Sequence, residues 1–508
     1  MIFASWPNRT EKGAAGAKAA IASAAKPRVA LLIVMFIVSS LRHFGGEWTS
    51  LPLSAPDVKS FDQEWVLGPN LGTEWEQTAA VGASKLRPLM ILSAALFAAT
   101  CAPLRETALL DYLARPSATS SRVVSQEGGR TRMELQSGEE YGRMWRHVLL
   151  IHRPTRPVAT KGALLFITGD GPSKGDELDL ALLSAASGLT IAMLFDIPNQ
   201  PLDLGSGPMR EDDLIAETFD RHLATGKGAA PKGERPPPLL FPMTRAALRA
   251  MDAVQKETGI DRFVVTGASK RGWTTWLAGV TGDPRIRGIA PMVYDNLNIP
   301  AQMARQQAAW GGYSEMIEDY TRRGLQARLA SAEGQRLSRS VDPYSYLDRL
   351  KAPVLVVNGT NDRYWTVDSF RAYGDRIPTP VWNLEVPNNP HGLTDRARLV
   401  ATIGAFARRC LAGPVERPVW SLRPRAGSVK ITMKGVRAES LGVWTAISAS
   451  RDFRAARWSR QALPASGEVT HPSPSPFHAV FGEAVVRDGS RTFTLTSPVL
   501  VIEGRSGR

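Results

Sequence analysis

Residues 264–273 have the sequence VVTGASKRGW, and no other stretch of the chain says as much about the fold. An apolar run ends in Ser269, with one glycine two places before it and another three places after it. The tryptophans that follow are spaced as on one side of a helix. Lys270 and Arg271 come directly after the serine, where the positive end of a helix dipole makes cations unfavourable. The stretch therefore predicts a strand, a sharp turn and a helix, and its two cations need an explanation.

Length and composition indicate ordinary globular domains. The chain has 508 residues, 43% of them hydrophobic and 22% charged, which is enough for two or three domains with buried cores. The formal net charge is +14, but the arginines and lysines are scattered, so we expect a solvated surface and no nucleic-acid partner. Two cysteines, Cys101 and Cys410, are too few for a disulfide framework or a cysteine metal site. We expect no metal and no cofactor, because the sequence has no dense cluster of histidine and aspartate ligands.

The first hundred residues predict export. Residues 1–84 lack steady periodicity, and we interpret them as a leader outside any domain or as an over-extended N-terminus. Residues 85–104 run from basic residues through an apolar stretch to AATCA, which is the order of a secretory signal peptide. Cys101 lies where a lipoprotein signal would be acylated. The alternative is a cytoplasmic tail on a membrane anchor, although the apolar run at 29–38 is short for a bilayer span.

The rest of the chain divides into two domains by pattern. Over residues 105–413, apolar runs such as GALLFITGDG, DRFVVTG and APVLVVNGTND alternate with amphipathic helices such as MTRAALRAMDAVQKETG, which predicts a parallel sheet covered on both faces. At about residues 296–350 the strands stop, and we expect a helical cap over the carboxyl edge of the sheet, where α/β proteins bind ligands. Over residues 414–508, short alternating segments separated by Gly, Pro and Ser predict a β-sandwich domain.

Ser269 and two later residues have the order expected of a catalytic triad. A serine on a sharp strand-to-helix turn is the nucleophile elbow of α/β-hydrolases, although the second glycine is one place later than in the usual G-x-S-x-G. Asp362 follows the strand PVLVVNG, and His391 follows the strand VWNLEV. His391 would take the proton of Ser269, and Asp362 would orient the imidazole. Asp295, after the strand APMVY, is the alternative acid, and a plain Gly–Ser turn is the alternative to an elbow.

Backbone N–H groups near the turn are the expected donors to an oxyanion. Lys270 would supply one, and the loop ITGDGPSKG would supply another from Gly169, Asp170 or Gly171. The side chains of Lys270 and Arg271 would place positive charge beside the developing negative charge or beside an anionic substrate. Alternatively, both side chains face solvent or pair with a structural carboxylate.

Residues near the helical cap are candidates for binding substrate. We expect Arg271 and Asp295 to contact it, together with the aromatic side chains of Tyr294 and Trp310, and we include Tyr320 among the aromatic residues that could line a cleft. For Trp310, packing in the core is an equal alternative.

Four motifs together resemble the PhoPQ-activated pathogenicity-related protein family of bacterial envelopes: GASKRGWTTWL, VYDNLNI, NGTNDRYW and PHGL. The resemblance covers about residues 107–504. It implies an exported protein with an α/β-hydrolase-like fold, a small C-terminal β domain, and Ser269, Asp362 and His391 at the triad positions. The turn is also similar to that of glucuronoyl esterases, in which an arginine after the serine assists the oxyanion; here Lys270 occupies that place.

These observations predict an exported serine hydrolase that cleaves an ester or an amide through an acyl-enzyme. Esterase, amidase and peptidase activities stay open, and the substrate is a small molecule or peptide, with or without a negative charge. We expect the protein in the periplasm or anchored to the membrane by its N-terminal signal or a lipid. The alternative is a binding or signalling protein of the cell envelope that uses the same scaffold without catalysis.

Overall fold

The structure, a computed structural model, describes residues 105–158, 160–224, 235–470 and 476–504. The predicted leader at residues 1–84 and the predicted signal at residues 85–104, including Cys101, lie outside these ranges. None of the helices in the described ranges is long and apolar enough to cross a membrane.

The helices and strands of the described residues follow the predicted alternation. The α-helices are α1 Ala108–Leu113, α2 Lys174–Ser187, α3 Glu211–Leu223, α4 Leu240–Thr258, α5 Lys270–Gly279, α6 Ile299–Trp310, α7 Glu318–Thr321, α8 Leu325–Arg328, α9 Ala332–Val341 and α10 Arg396–Ala412. The strands of the first part are β1 Ser120–Glu127, β2 Arg130–Glu140, β3 Arg143–His152, β4 Gly162–Ile167, β5 Thr190–Leu194, β6 Leu202–Asp203, β7 Pro208–Met209, β8 Arg262–Ala268, β9 Ile286–Met292, β10 Val354–Gly359 and β11 Val381–Val386. The later strands are β12 Val419–Arg425, β13 Ser428–Lys434, β14 Ala438–Ser448, β15 Ser459–Ala462, β16 Glu468–Thr470, β17 Phe477–Asp488, β18 Arg491–Thr496 and β19 Leu500–Glu503. Short 3₁₀ helices occupy Glu315–Ile317, Pro343–Arg349, Ser369–Ala372 and Gly374–Arg376.

The core sheet has the strand order β1-β2-β3-β5-β4-β8-β9-β10-β11. Neighbouring strands run parallel from β5 to β11, whereas β1, β2 and β3 pair antiparallel at one edge. All residues of β4 and β10 are buried, as expected for parallel strands that are covered on both faces. The predicted α/β class, with the α/β-hydrolase fold, is confirmed.

Successive side chains of the core strands point to opposite faces and fill two separate cores. On β4, Leu164 packs in the core beneath α2 and α10, whereas Leu165 packs in the core beneath α4 and α5. Helix α4 ends at Gly259, whose φ of 73° is the left-handed conformation that commonly closes a helix. Because helices cover both faces, the loops that leave the carboxyl ends of β4, β8, β10 and β11 meet at one edge of the sheet.

A helical insertion, formed by α6 to α9 and two 3₁₀ helices, connects β9 to β10. Asp342 holds both ends of the insertion, because its carboxylate accepts hydrogen bonds from the N–H groups of Ile299 (2.8 Å) and Tyr344 (3.0 Å). The indole Nε1–H of Trp273 on α5 donates to the carbonyl oxygen of Val341 on α9 (2.7 Å). The insertion is therefore bonded directly to the helix that follows Ser269.

The C-terminal strands form two sheets that pack face to face. Strands β12, β13 and β16 make one sheet, and β14, β15, β17, β18 and β19 belong to the other. Val429 and Ile431 on β13 share a buried cluster with Val443 on β14 and Val480 on β17. This arrangement is the predicted β-sandwich.

The second of these sheets continues the core sheet. Strand β18 pairs antiparallel with β11 at Asn383 and Thr496, and the N–H of Glu385 donates to the Thr496 hydroxyl (2.9 Å). The hydroxyl of Thr402 on α10 also donates to the carbonyl oxygen of Thr494 (3.2 Å). The described residues belong to one compact unit. The sandwich is therefore joined to the α/β part by backbone pairing, where the sequence pattern indicated a separate domain.

Candidate active site

Ser269 lies between β8 and α5 in a conformation that few residues other than glycine adopt. Its φ is 58° and its ψ is −123°, a sparsely populated region that is found mainly at functional turns. Its N–H donates to the carbonyl oxygen of Met292 (2.8 Å), and its own carbonyl accepts from the N–H of Trp273 (2.9 Å). A strained serine between a strand and a helix is the geometry of a nucleophile elbow.

The glycines on either side of Ser269 are required by close backbone contacts. A Cβ atom at Gly267 would lie 2.8 Å from the carbonyl oxygen of Arg271, and a Cβ atom at Gly272 would lie 2.6 Å from the carbonyl oxygen of Met292. Real Cβ atoms do not approach so closely. The second glycine stands three places after the serine because that position faces the end of β9. The G-x-S-x-x-G spacing therefore fits an elbow.

Asp362 and His391 form a hydrogen-bonded pair at the same edge of the sheet. Asp362 follows β10, His391 follows β11, and Nδ1 of the imidazole lies 2.7 Å from Oδ2 of the carboxylate. The other carboxylate oxygen accepts from the N–H of Tyr364 (2.8 Å), and the Tyr364 ring packs over the imidazole with centroids 4.1 Å apart. The carboxylate and the tyrosine together fix the plane of the imidazole ring.

Asp295, the alternative acid, has other partners. Its carboxylate accepts hydrogen bonds from the hydroxyl of Tyr373 (2.5 Å) and from the side-chain amide of Asn358 (3.1 Å). Burial raises the pKa of Asp295 to about 7, although the Tyr373 hydrogen bond acts in the opposite direction. The structure therefore pairs the histidine with Asp362. It buries Asp295 among polar side chains behind the site, which differs from the expected contact with substrate.

A single carboxylate, Glu211 at the start of α3, engages both cations that follow Ser269. It accepts two hydrogen bonds from the Arg271 guanidinium (2.7 and 2.8 Å), and Oε2 lies 2.7 Å from Nζ of Lys270. Asp212 adds a second carboxylate 3.2 Å from the same Nζ. Burial acts to raise the pKa of Glu211, but the charges of Arg271 and Lys270 outweigh burial and hold this pKa well below its usual range.

The position of Arg271 differs from the expected one. Besides Glu211, its Nε–H donates to the carbonyl oxygen of Ile197, and its guanidinium covers Gly169 so closely that a Cβ atom there would lie 2.7 Å away. The sequence left open whether the Arg271 side chain faces substrate, faces solvent or pairs with a structural carboxylate. In the structure it pairs with the carboxylate of Glu211. Arg271 braces the elbow against the loops that follow β4 and β5, because each of these loops presents a backbone group to its guanidinium.

The loop after β4 lies beside the elbow because β4 and β8 pair in register, with Ile167 opposite Gly267. This position is the one expected for the second oxyanion donor. The Lys270 N–H opens α5 directly after the serine, where the positive end of the helix dipole favours developing negative charge.

Gly169, Asp170 and Gly171, the possible oxyanion donors in the loop after β4, lie among several hydrogen-bonded and ion-paired groups. The side chain of Asp170 pairs with Arg210 and accepts from the side-chain amide of Gln200 (2.9 Å). The carbonyl oxygen of Gly169 accepts a hydrogen bond from the N–H of Asp196 (2.6 Å), and burial raises the pKa of the Asp196 carboxyl group. The backbone N–H groups of all three residues stay candidates for the second oxyanion donor.

A cavity of about 100 Å³ lies between Ser269 and the helical insertion, and we call it the chamber. Ser269, Lys270 and Asp212 line it on the side of the elbow, and further polar side chains come from Asn296, Gln326 and Ser338. The remaining wall is mostly apolar and comes from α3, α5 and the insertion; it includes Phe219, Leu223, Trp273, Leu325, Leu337 and Val341. The chamber therefore brings a mostly apolar surface next to Ser269.

The aromatic residues expected near a cleft divide between two places. Tyr294 and Tyr320 line the chamber, and Tyr294 stacks on Trp273 with centroids 4.8 Å apart and planes at 19°. Trp310 is not among the residues that line the chamber, and the guanidinium of Arg454 covers its ring at 4.2 Å. Trp310 therefore contacts the segment between β14 and β15, and its role in substrate binding stays a prediction.

The sequence model of the PhoPQ-activated pathogenicity-related protein family matches residues 120–454, which is more than half of the chain. The chain belongs to this family. Among known proteins, this family member is 32% identical over 340 residues to autocrine proliferation repressor protein A of Dictyostelium discoideum. The match covers 61% of this chain and 66% of that relative, so the chain spans slightly less than two thirds of the relative's length.

Solved structures similar to this family member include esterases and peptidases. Acetyl xylan esterase from Paenibacillus sp. R4 has a TM-score of 0.39 and 15% identity over 56% of this chain and 87% of its own. A puromycin-hydrolysing peptidase from Mycobacterium tuberculosis has a TM-score of 0.37 and 16% identity over 62% of this chain and 42% of its own. At these identities the likeness concerns the fold alone.

Glu211 and Tyr364 belong to the site of this family member although no sequence pattern singled them out. Glu211 is part of the acidic run EDD at the start of α3, a composition common to helix N-termini, so nothing local links it to Lys270. Tyr364 stands two places after Asp362 in NGTNDRYW. This short separation in the sequence from Asp362 is the one signal from which Tyr364 could have been predicted as part of the site.

Proposed function

We propose that this chain is an exported serine hydrolase that cleaves an ester or an amide through an acyl-enzyme on Ser269. The observation that carries the proposal is the hydrogen bond between His391 and Asp362 (2.7 Å) at the sheet edge where Ser269 occupies a strained elbow. Strands β8, β10 and β11 end at this edge and lie within four neighbouring positions of the sheet. The three residue types in this order are those of a serine hydrolase.

The proposed reaction has two halves. Ser269 Oγ adds to the substrate carbonyl while His391 Nε2 takes its proton, and Asp362 stabilises the imidazolium through Nδ1. The tetrahedral adduct expels the alcohol or amine, which receives the proton from His391, and an ester on Ser269 remains. Water then repeats the sequence, so the acid is released and Ser269 recovers its proton.

The oxyanion of the adduct is proposed to lie between two backbone donors. One is the N–H of Lys270, which opens α5. The other comes from Gly169, Asp170 or Gly171 in the loop that follows β4 and lies beside the elbow. Backbone donors are suited to this role because the fold holds them in place before charge develops.

The chamber supports an uncharged, apolar acyl group as the substrate class. Its wall is mostly apolar, and the two cations beside it face two carboxylates, Glu211 and Asp212. An anionic substrate, which the sequence left open, therefore finds no uncompensated positive charge in the Lys270 and Arg271 side chains. A chamber of about 100 Å³ has room for a short aliphatic chain or a small aromatic group.

Fluorophosphonate labelling tests the nucleophile. We expect covalent labelling of the purified protein at Ser269, and we expect Ser269→Ala to abolish it, because the probe reacts with an activated serine hydroxyl. Ser184→Ala, which removes a buried serine hydroxyl from α2, should label like wild type. A folded wild-type protein that does not label would contradict the proposal.

A series of p-nitrophenyl esters tests the substrate class. We expect kcat/KM to rise roughly ten- to a hundredfold from acetate to a chain of about four to six carbons, because each buried methylene contributes about 0.8 kcal/mol. Leu337→Trp narrows the chamber and should move the optimum to shorter chains, whereas Leu178→Trp, at an exposed position on α2, should leave it unchanged. A flat profile in a protein that labels at Ser269 would reject the apolar acyl group and leave the hydrolase intact.

The alternative function is binding or signalling without catalysis. It is favoured by the name of the Dictyostelium relative, which describes a proliferation repressor. The labelling experiment separates the two functions, because a non-catalytic binder has no need of an activated serine.

We also propose that the protein is exported. It is supported by the order of basic, apolar and small residues over 85–104. We expect the mature protein in the periplasm or on the membrane, with its N-terminus near Cys101 and, if it is anchored, with a lipid on that cysteine. N-terminal sequencing and mass spectrometry of the native protein test this; a mature chain that begins near residue 1 would contradict it.

A further inference from the structure

The segment 453–458, between β14 and β15, crosses the loops that carry Asp362 and His391, and we call it the bridging segment. We propose that the C-terminal β-sandwich completes the active site through this segment, with Asn361 and Asn388 as positioning residues. The inference rests on the proposed function, since it assigns a role in aligning the same acid and histidine.

Asn361 connects the acid loop to the bridging segment. Its side-chain amide donates to the carbonyl oxygens of Ala456 (2.7 Å) and Arg454 (3.2 Å). Asn361 directly precedes Asp362 in the chain, so the position of the carboxylate depends on this contact. The acceptors are main-chain carbonyl groups. The contact of Asn361 therefore depends on the backbone path of the bridging segment and not on its side chains.

Asn388 makes the equivalent connection from the histidine loop. Its amide donates to the carbonyl oxygen of Trp458 (2.9 Å), and its Oδ1 accepts from the N–H of the same residue (2.8 Å). Asn388 has a φ of 55°, a left-handed conformation that asparagine tolerates better than most residues. It lies three places before His391. Two hydrogen bonds to the backbone of one residue, Trp458, therefore hold the start of the loop that presents the imidazole.

The two loops are also bonded to each other. The N–H of Asn388 donates to the Thr360 hydroxyl (2.9 Å), which in turn donates to Oδ1 of Asn361 (2.9 Å). The N–H of Asn361 donates to the carbonyl oxygen of Asn389 (3.0 Å). A shift of the bridging segment would consequently move acid and histidine together.

The bridging segment is itself anchored in the sandwich. Phe453 and Trp458, at its two ends, are buried in one cluster with Phe481 of β17, and the Trp458 and Phe481 ring centroids lie 5.2 Å apart. A segment fixed at both ends by aromatic side chains is a rigid support. Catalytic geometry depends on such supports, because a displacement of about 1 Å can reduce a rate by roughly a hundredfold.

The test uses Asn361→Ala and Asn388→Gly in the full chain. Glycine is chosen at 388 because it adopts the left-handed backbone conformation without strain and removes the side chain that carries the amide. With the best ester of the series, we expect kcat to fall roughly ten- to a hundredfold while KM stays within about twofold. The rate of fluorophosphonate labelling should fall in parallel, and the acidic limb of the kcat/KM profile should move, because the contact of His391 with Asp362 is altered.

Asp488→Asn is the matched control. Asp488 binds Arg409 of α10 (2.9 Å) and joins the sandwich to the α/β part away from both loops. This variant should lose stability and keep the wild-type kcat and labelling rate. Variants at 361 and 388 that turn over and label at the wild-type rate would overturn the inference. An equal loss of kcat in Asp488→Asn would also overturn it. Any loosening of the sandwich would then slow the reaction, and the two asparagines would have no specific positioning role.

A spectroscopic measurement separates this inference from the proposed function. The proton between His391 Nδ1 and Asp362 is expected as a downfield resonance in proton NMR, and it does not require turnover. We expect the resonance to shift or broaden in both asparagine variants. Wild-type protein that fails to label would reject the hydrolase, whereas a downfield resonance unchanged in the variants would reject the positioning role.

Discussion

Glu211, which no sequence pattern indicated, is the carboxylate that pairs with both cations after Ser269. It binds the Arg271 guanidinium through both of its oxygens and lies 2.7 Å from Nζ of Lys270. Cations at the start of a helix are unfavourable, and this carboxylate is what makes them tolerable after Ser269. The chain thereby keeps a cation-rich elbow without uncompensated charge beside the chamber.

Glu211→Gln is expected to lower the free energy of unfolding by about 1–2 kcal/mol at pH 7. It leaves two buried cations short of a partner, and the effect is smaller than for a fully buried pair because the carboxylate is partly exposed. The pKa of Glu211 is depressed, so the advantage of wild type should be complete above about pH 4.5 and shrink as the pH falls further. Urea denaturation at several pH values measures this.

Glu134→Gln is the control for that experiment, because it removes an exposed pair with Arg122 (2.6 Å). It should change stability by less than about 1 kcal/mol. An advantage of wild type over Glu211→Gln that persists undiminished at low pH would contradict the role of the carboxylate charge.

Asp295 predicts a pH dependence of the opposite sign. Burial raises its pKa to about 7 from the usual 3.8, so the folded state favours the protonated form and loses stability as the pH rises from about 4 to 7. Asp295→Asn cannot ionise, and its amide can still accept from the Tyr373 hydroxyl. The neighbouring Asn358 amide would rotate to present its oxygen to the new NH₂ group.

We therefore expect Asp295→Asn to be more stable than wild type at pH 8 by on the order of 4 kcal/mol at most, with the difference vanishing near pH 4. Thermal unfolding across this pH range measures the difference. A constant difference at all pH values would mean that packing, and not ionisation of Asp295, is responsible.

Among the elements, helix α10 and the C-terminal strands meet at a buried charge. Glu483 on β17 accepts hydrogen bonds from Arg398 of α10 (2.6 Å), Arg460 of β15 (2.7 Å) and Trp444 of β14 (2.8 Å). Burial acts to raise the pKa of Glu483, but these hydrogen bonds outweigh burial and lower it. The Glu483 side chain therefore joins α10 to three strands of the C-terminal sheet, β14, β15 and β17.

Glu483→Gln is expected to cost about 2–4 kcal/mol of stability at pH 7, because both arginines lose the charge of their partner in a buried place. Since the pKa of Glu483 is lowered, the loss should diminish below about pH 4.5. Denaturant titration measures it. Glu439→Gln, in the more exposed pair with Arg487, should be nearly neutral, and equal losses in the two variants would contradict a special role for Glu483.

For the whole molecule, the sequence predicts the candidate catalytic residues best, because each of them follows the end of a strand. Ser269, Asp362 and His391 each stand directly after an apolar run, and parallel strands end at one edge, so their approximate placement needs only the order of the runs. The pairing of the histidine with Asp362 and not Asp295 could not be deduced in this way. Both acids follow strands, and only the side-chain contacts distinguish them.

Other features depend on contacts that no local pattern carries. Trp310 sits in the insertion as a cleft residue would, yet Arg454, far along the chain, covers its ring. The strands after residue 413 have the alternation of an independent sandwich, and that alternation says nothing of the pairing between Asn383 and Thr496. Antiparallel pairing at a sheet edge is decided by tertiary packing, which sequence periodicity does not record.

Evolution has little freedom to exchange or lose the C-terminal strands of this family member. Because β18 extends the sheet from β11, a descendant shortened after α10 would expose a bare backbone edge, which is a template for aggregation. The insertion between β9 and β10 forms a wall of the chamber, and among the described residues it adds no strand to the core sheet. Lineages that acquire new substrates are therefore expected to diverge first in α6 to α9, while the β18 junction is inherited with little alteration.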